Sequence, residues 1–177
     1  MNRIEFIEQQ SQETRLMTKK LIKDISDDLW YETPEIIHSN IAWQIGHLII
    51  AQMYHSISVI TGSSKKISEV IPLKYYIPKY GMGSDPADHK EIKPRPEQLR
   101  EQLDFINDVA IKELRKLDDG ELDEALAPTR STHPIARTKY EALTWSFKHE
   151  MWHCGQISIL KRVLGKATDW TPTASSS

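Results

Sequence analysis

The chain has 177 residues, 39% of them hydrophobic and 27% charged, with seven glycines and a formal net charge of -2. That length suits one domain with a real core, and the composition is that of a folded globular protein. The near-neutral balance gives no electrostatic basis for binding nucleic acid, and no apolar run is long enough to span a membrane. The opening stretch, MNRIEFIEQQSQETR, mixes charge and hydrophobe too finely for a signal peptide. Cys154 is the only cysteine, so no intrachain disulfide can form and a reducing cytoplasm is the expected compartment.

Four segments carry helical periodicity and nothing reads as a strand ladder. The first spans about Arg3 to Leu29, with Ile7, Thr14, Leu21 and Ile25 on one side. The second begins after Ser39 or Asn40, either one an N-cap, and runs to about Ile60 before Gly62. A connection over residues 63–95 follows, holding Pro72, Pro78, Pro86 and Pro94 among tyrosines and glycines. A loop this long is more often a lid or a site wall than filler. The third helix opens at Pro96-Glu97, and Leu99, Leu103, Ile106, Ala110 and Leu117 form its apolar stripe. A second connection, 118–137, leads to the fourth helix, about Thr138 to Leu164, which stops at Gly165 with Lys161 and Arg162 in its last turn. The expected fold is all-α: an antiparallel four-helix bundle with long loops between helices 2 and 3 and between helices 3 and 4. Residues 1–170 form its single domain in this reading, and 171–177, TPTASSS, a frayed tail.

The last helix carries His149-Glu150-Met151-Trp152-His153, the H-E-x-x-H spelling of zinc proteases. A helix advances about 100° per residue, so positions four apart lie roughly 40° from each other. His149 and His153 therefore share one face with Ala142, Trp145, Gln156, Leu160 and Val163. That stripe is otherwise apolar and points inward, where polar groups need partners or a metal. On the second helix, His47 lies in the stripe Trp43, Ile50, Ala51, Tyr54 and Ser58. One such histidine is most often a satisfied core residue. Three from two helices are what a divalent ion with an open coordination position requires.

The other histidines have plainer expectations. His55, about 80° round the helix from His47, is expected to make an interhelical hydrogen bond, with a supporting role beside the ligands as the alternative. His38, His89 and His133 belong to turns or surface, His133 being the one whose loop leads into the last helix. Cys154 is expected to be a small core residue. Trp43, Trp145 and Trp152 read first as core filler and second as walls of an apolar pocket around the ion.

A zincin needs a third ligand, a later glutamate or a histidine six residues on. Ile159 stands at that position, no glutamate follows Glu150, and Asp169 lies past the helix stop. The protease reading fails there. Glu150 flanks the metal face, where it can act as a general base, with structural pairing to a neighbouring helix as the equal alternative.

These motifs resemble the DinB-like (YfiT-type) family of metal-dependent enzymes. ALTWSFKHEMWHCGQISILKRVLG is similar to that family's H-E-x-x-H-x-G-Q-I helix, with Gly155 and Gln156 at its glycine and glutamine. NIAWQIGHLI is similar to its tryptophan-to-histidine segment, while His133-Pro134 and the YGMG loop are weaker echoes. The resemblance implies a four-helix bundle holding zinc or nickel on His47, His149 and His153, in a cytoplasmic protein that is often a homodimer. Relatives in the family include thiol-dependent S-transferases and a maleylpyruvate isomerase. The implied activity is therefore attack by a water or a low-molecular-weight thiol on a small-molecule substrate; Glu150, from its place beside the metal face, is the candidate catalytic residue. A metal-dependent hydrolase and a non-catalytic metal- or small-ligand-binding module are the alternatives. A purely structural bundle leaves three inward histidines idle.

Overall fold

Asn2 and Thr138 do the same thing at opposite ends of the chain. Each starts a helix with a reciprocal cap, its side chain accepting from the backbone N–H three residues on while a glutamate there returns the bond. Asn2 and Glu5 open α1 (Arg3–Ile22); Thr138 and Glu141 open α7 (Lys139–Val163). Between them, Asn40 accepts from Trp43 N to start α2 (Ile41–Met53). The computed structural model describes residues 1–62, 65–88 and 93–168. His89, Asp169 and the tail 171–177 lie outside the described residues.

α1 ends earlier than the periodicity suggests. It stops at Ile22, and a 3-10 turn at Asp27–Leu29 follows. Serine and aspartate compete with helical bonding through their own side chains, and Asp24, Ser26, Asp27 and Asp28 crowd this stretch. The turn nevertheless seats Ile25 and Trp30 in the core, continuing the buried side set by Ile7, Thr14 and Leu21.

α2 widens at its end into a π-helical segment, Tyr54–Ser58, and closes through the single turn α3 (Val59–Thr61). Gly62, with φ 89°, supplies the left-handed stop. The next connection is not a plain loop. Its described residues include α4 (Lys65–Val70) and α5 (Leu73–Tyr80), which bury Ile67, Tyr76 and Tyr80. Proline punctuation concealed them, because Pro72 sits at the N-cap of α5 and Pro78 within it. α6 (Pro96–Leu114) buries the expected stripe of Leu99, Leu103, Ile106 and Ala110.

α1 packs along α7 and α2 along α6, while α2 also meets α5 and α7. The core this makes runs from Trp30 and Ile45 through Leu103 and Ile106 to Ile157 and Leu160. Among the described residues the only strand-like pairing is an isolated bridge, Ala125 to Thr138. No described helix is long and apolar enough to cross a membrane. Val163, expected on the inward stripe of α7, is 46% exposed, and Trp152, expected as core filler, is 64% exposed. The face that α7 buries is broader and turned round the helix from the expected stripe, taking in Leu143, Ser146, Glu150, Cys154 and Ile157 beside Ala142, His153 and Leu160.

Candidate metal centre

Gly46 and His47 are placed together for a reason. A Cβ at Gly46 would lie 2.5 Å from the ring of Tyr80, so only glycine lets α5 press this closely on α2. The approach brings the Tyr80 carbonyl to His47, whose Nδ1–H donates to it at 2.7 Å. A carbonyl only accepts, so the hydrogen is on Nδ1 and His47 keeps a lone pair on Nε2.

His153 is held the same way by a different group. Its Nδ1–H donates to the Gln44 side-chain oxygen. The Gln44 amide is oriented in turn by donating to Ser39 Oγ at 2.9 Å and to the Gln156 oxygen at 3.0 Å. Gln156, the third inward polar residue of the sequence pattern, therefore acts on His153 through Gln44.

The free nitrogens converge. One ligating atom from each of His47, His149 and His153 lies within 4.8 Å of the others. The Nε2 atoms of His149 and His153 are 3.2 Å apart. Nitrogens bound tetrahedrally at about 2.0–2.1 Å stand about 3.3 Å from one another, so this pair already has a ligand spacing. Without an ion, His149 can satisfy the pair by donating one N–H to His153. Burial pushes the imidazoles below their ordinary value, His149 to about 4 and His153 to about 3, and His47 in the same direction. All three are neutral at pH 7, the state in which imidazole ligates. His47 and His149 are half-buried, which leaves one side of the cluster open. Two held N–H groups, lone pairs turned inward and an open side together fit a divalent ion with room for another ligand.

Aromatic rings wall the cluster. Trp43 stacks on His47, centroids 5.0 Å apart and planes within 10°, and Trp145 lies 5.9 Å from His149. The Trp43 indole N–H donates to Ser84 Oγ at 2.9 Å, which ties the wall to the turn after α5. Trp43 and Trp145 thus flank the histidines, Trp43 packing against the core as well, whereas the exposed Trp152 does neither.

Glu150 faces elsewhere. Its oxygens accept from Arg15 Nε at 2.8 Å, Arg15 Nη2 at 3.0 Å and Thr18 Oγ1 at 2.7 Å. Both partners are on α1, and the pair is buried. Arg15 also donates to Gln52 and to the Leu103 carbonyl, so one guanidinium links α1 to α2, α6 and α7. This is the pairing to a neighbouring helix weighed for Glu150. Cys154 lies beside it, buried and 3.2 Å from Thr18 Oγ1, with burial pushing its thiol up to about 11. It is the small, unreactive core residue expected.

The remaining described histidines divide. His38 occupies a turn before α2 with φ 49°. His55 and His133 are both buried and bond to each other at 2.8 Å, so His55 reaches a loop rather than a helix. Sequence reasoning missed the Tyr80 carbonyl, Gln44 and Arg15. A backbone carbonyl has no residue identity to read, but Gly46 beside His47 was its trace.

A family model, the DinB superfamily, matches residues 10–157. The crystal structure of a conserved protein from Enterococcus faecalis is similar in fold, with a TM-score of 0.72 and 15% identity, over 94% of this chain and 99% of that one. No curated protein matches the chain.

Proposed function

Because the chain belongs to the DinB superfamily, we propose that His47, His149 and His153 hold a divalent metal ion and that the protein is a metal-dependent enzyme acting on a small molecule. The observation that carries this reading is the convergence of the three imidazoles within 4.8 Å, two of them with Nδ1–H groups engaged outside the cluster. The long helices α1, α2, α6 and α7 are, in this reading, an antiparallel four-helix bundle whose interior presents the ligands.

A divalent ion at this position, zinc or nickel, supplies Lewis acidity that makes a water or a thiol nucleophilic near neutral pH. The chain's own residues do the rest. Tyr80 O and Gln44 fix the rings of His47 and His153 and keep their second nitrogens unprotonated. Trp43 and Trp145 cover the histidines with apolar surface that excludes water and accepts the carbon frame of a substrate. We assign Glu150 to the structure rather than to the chemistry, since both its oxygens are engaged by Arg15 and Thr18.

Transfer of a low-molecular-weight thiol to an electrophile is the favoured reaction. It is supported by the resemblance of the α7 and α2 motifs to thiol-dependent relatives and by the lack of a free carboxylate base bonded at the histidines among the described residues. Metal-assisted hydrolysis is the second reading. Assays of thiol consumption with a generic electrophile, on metal-loaded and chelated protein, separate the two. Metal-dependent thiol loss supports the transferase, and its absence alongside metal-dependent ester hydrolysis supports the hydrolase.

A further inference from the structure

His55 and His133 are the two buried histidines that the metal reading leaves unused. His133 Nδ1 accepts two backbone N–H groups, from Ile135 at 3.2 Å and Ala136 at 2.8 Å. An acceptor nitrogen carries no hydrogen, so in the neutral ring the hydrogen is on Nε2. That Nε2–H faces His55 Nδ1 at 2.8 Å. His55 Nδ1 is therefore the acceptor, and the hydrogen of His55 is on its own Nε2. The backbone turn at Pro134 thus dictates, through two rings, which nitrogen of His55 is a donor.

The same ring touches the candidate centre. His55 and His149 pack edge to face with centroids 5.5 Å apart. His55 sits in the π-helical segment Tyr54–Ser58, whose wider turn advances less per residue than an α-helix. This carries His55 back from the shoulder position that α-helical geometry gives it, toward the face of His47. Tyr54, on the same segment, stacks on His133 with planes 8° apart and donates to Ser131 O at 2.9 Å, which holds the loop in place. His55 Nε2 has no hydrogen-bond partner among the described residues.

We propose that His55 and His133 form a hydrogen-bonding arm of the centre: His133 fixes His55 as the Nε2–H tautomer, and His55 presents that N–H to an acceptor oxygen of the substrate on the open side of the three histidines. His55 would contact substrate; His133 is a positioning residue. The substrate class that follows is a small molecule with a carbonyl or carboxylate oxygen next to its reacting atom. The inference rests on the proposed metal site.

The test has two readouts. Long-range proton–nitrogen correlation NMR on the nitrogen-15-labelled, metal-free protein reports each imidazole's tautomer. His55 and His133 should both be Nε2–H, and His55 as Nδ1–H would overturn the arm. His133→Ala should release the tautomer of His55. His133→Gln, with an oxygen to accept from Ala136 and an amide N–H to donate to His55, should restore it. The second readout is acetate binding to the cobalt(II)-loaded protein, followed by visible absorption. His55→Phe, which keeps a ring and removes the donor, and His133→Ala should each weaken acetate about tenfold, the scale of one hydrogen bond to an anion. His133→Gln should bind acetate as the unaltered protein does. Cobalt uptake with acetate affinity unmoved in His55→Phe overturns the arm alone. No cobalt uptake by the unaltered protein overturns the metal site and the arm's purpose with it.

Discussion

Glu150 and His153 lie one turn apart on α7, both buried, and each belongs to a cluster of polar groups drawn from several helices. The Arg15–Glu150 cluster is closed: opposite charges, both carboxylate oxygens accepting, the guanidinium shared with Gln52 and Leu103 O. The histidine cluster is open: neutral rings, the Nδ1–H groups of His47 and His153 engaged outside it, and the Nε2 atoms of His149 and His153 turned toward each other. Polar groups that satisfy each other hold a fold together. Nitrogens that converge with more lone pairs than donors among them make a place for something else. The H-E-x-x-H spelling joins in sequence what the helix separates in space.

The largest effect should come from opening the closed cluster. Arg15→Ala leaves the Glu150 charge buried and unpaired, and should cost about 3–5 kcal/mol in urea unfolding. Replacing both, as Arg15→Met with Glu150→Leu, should recover part of that loss, because the pair's desolvation cost disappears with it. The double variant should still take up metal in full. Loss of metal there would move Glu150 from the structure into the centre.

Acidification should act on the open cluster instead. His55, His149 and His153 are held near 3, 4 and 3, below the ordinary 6.5 that the unfolded chain regains. The unfolded state then binds protons that the folded state refuses, so stability is full above about pH 6.5 and falls as pH drops below it. For the metal-free protein the loss between pH 6.5 and 5.5 should be about 1 kcal/mol per histidine. Urea melts at the two values measure it, and equal stability at both would mean these rings are not buried neutral.

The supports of the histidines should give the smallest change. Gln44→Ala removes the acceptor of His153, and Gly46→Ala drives a methyl into the Tyr80 ring that carries the acceptor of His47. Each should weaken metal affinity about 10–100-fold in competition with a chelating dye. Affinity unchanged in both would show that the rings are oriented by packing alone.

How much of this was legible follows from what leaves a mark in side-chain identity. Asn40, Thr138, Gly62 and Gly165 announce helix ends because capping and left-handed backbone select residue types, and the structure uses all four. α4 and α5 were hidden by prolines that usually break helices. The π segment left no mark, since widening one turn changes no composition. His47, His149 and His153 were readable because an inward polar residue at helical spacing needs a partner. Arg15 met the same test, beside Thr14 in a stripe through Thr18 and Ile22, and its buried partner should have been sought. Tyr80 O could not be found that way.

The metal content of protein purified without an affinity tag tests the central claim most directly, read by elemental analysis on the unaltered chain and on His47→Ala. The account predicts about one divalent ion per chain in the first and a near-complete loss in the second, with the helical circular dichroism of the two alike. Substoichiometric metal that does not change when His47 is replaced would contradict it.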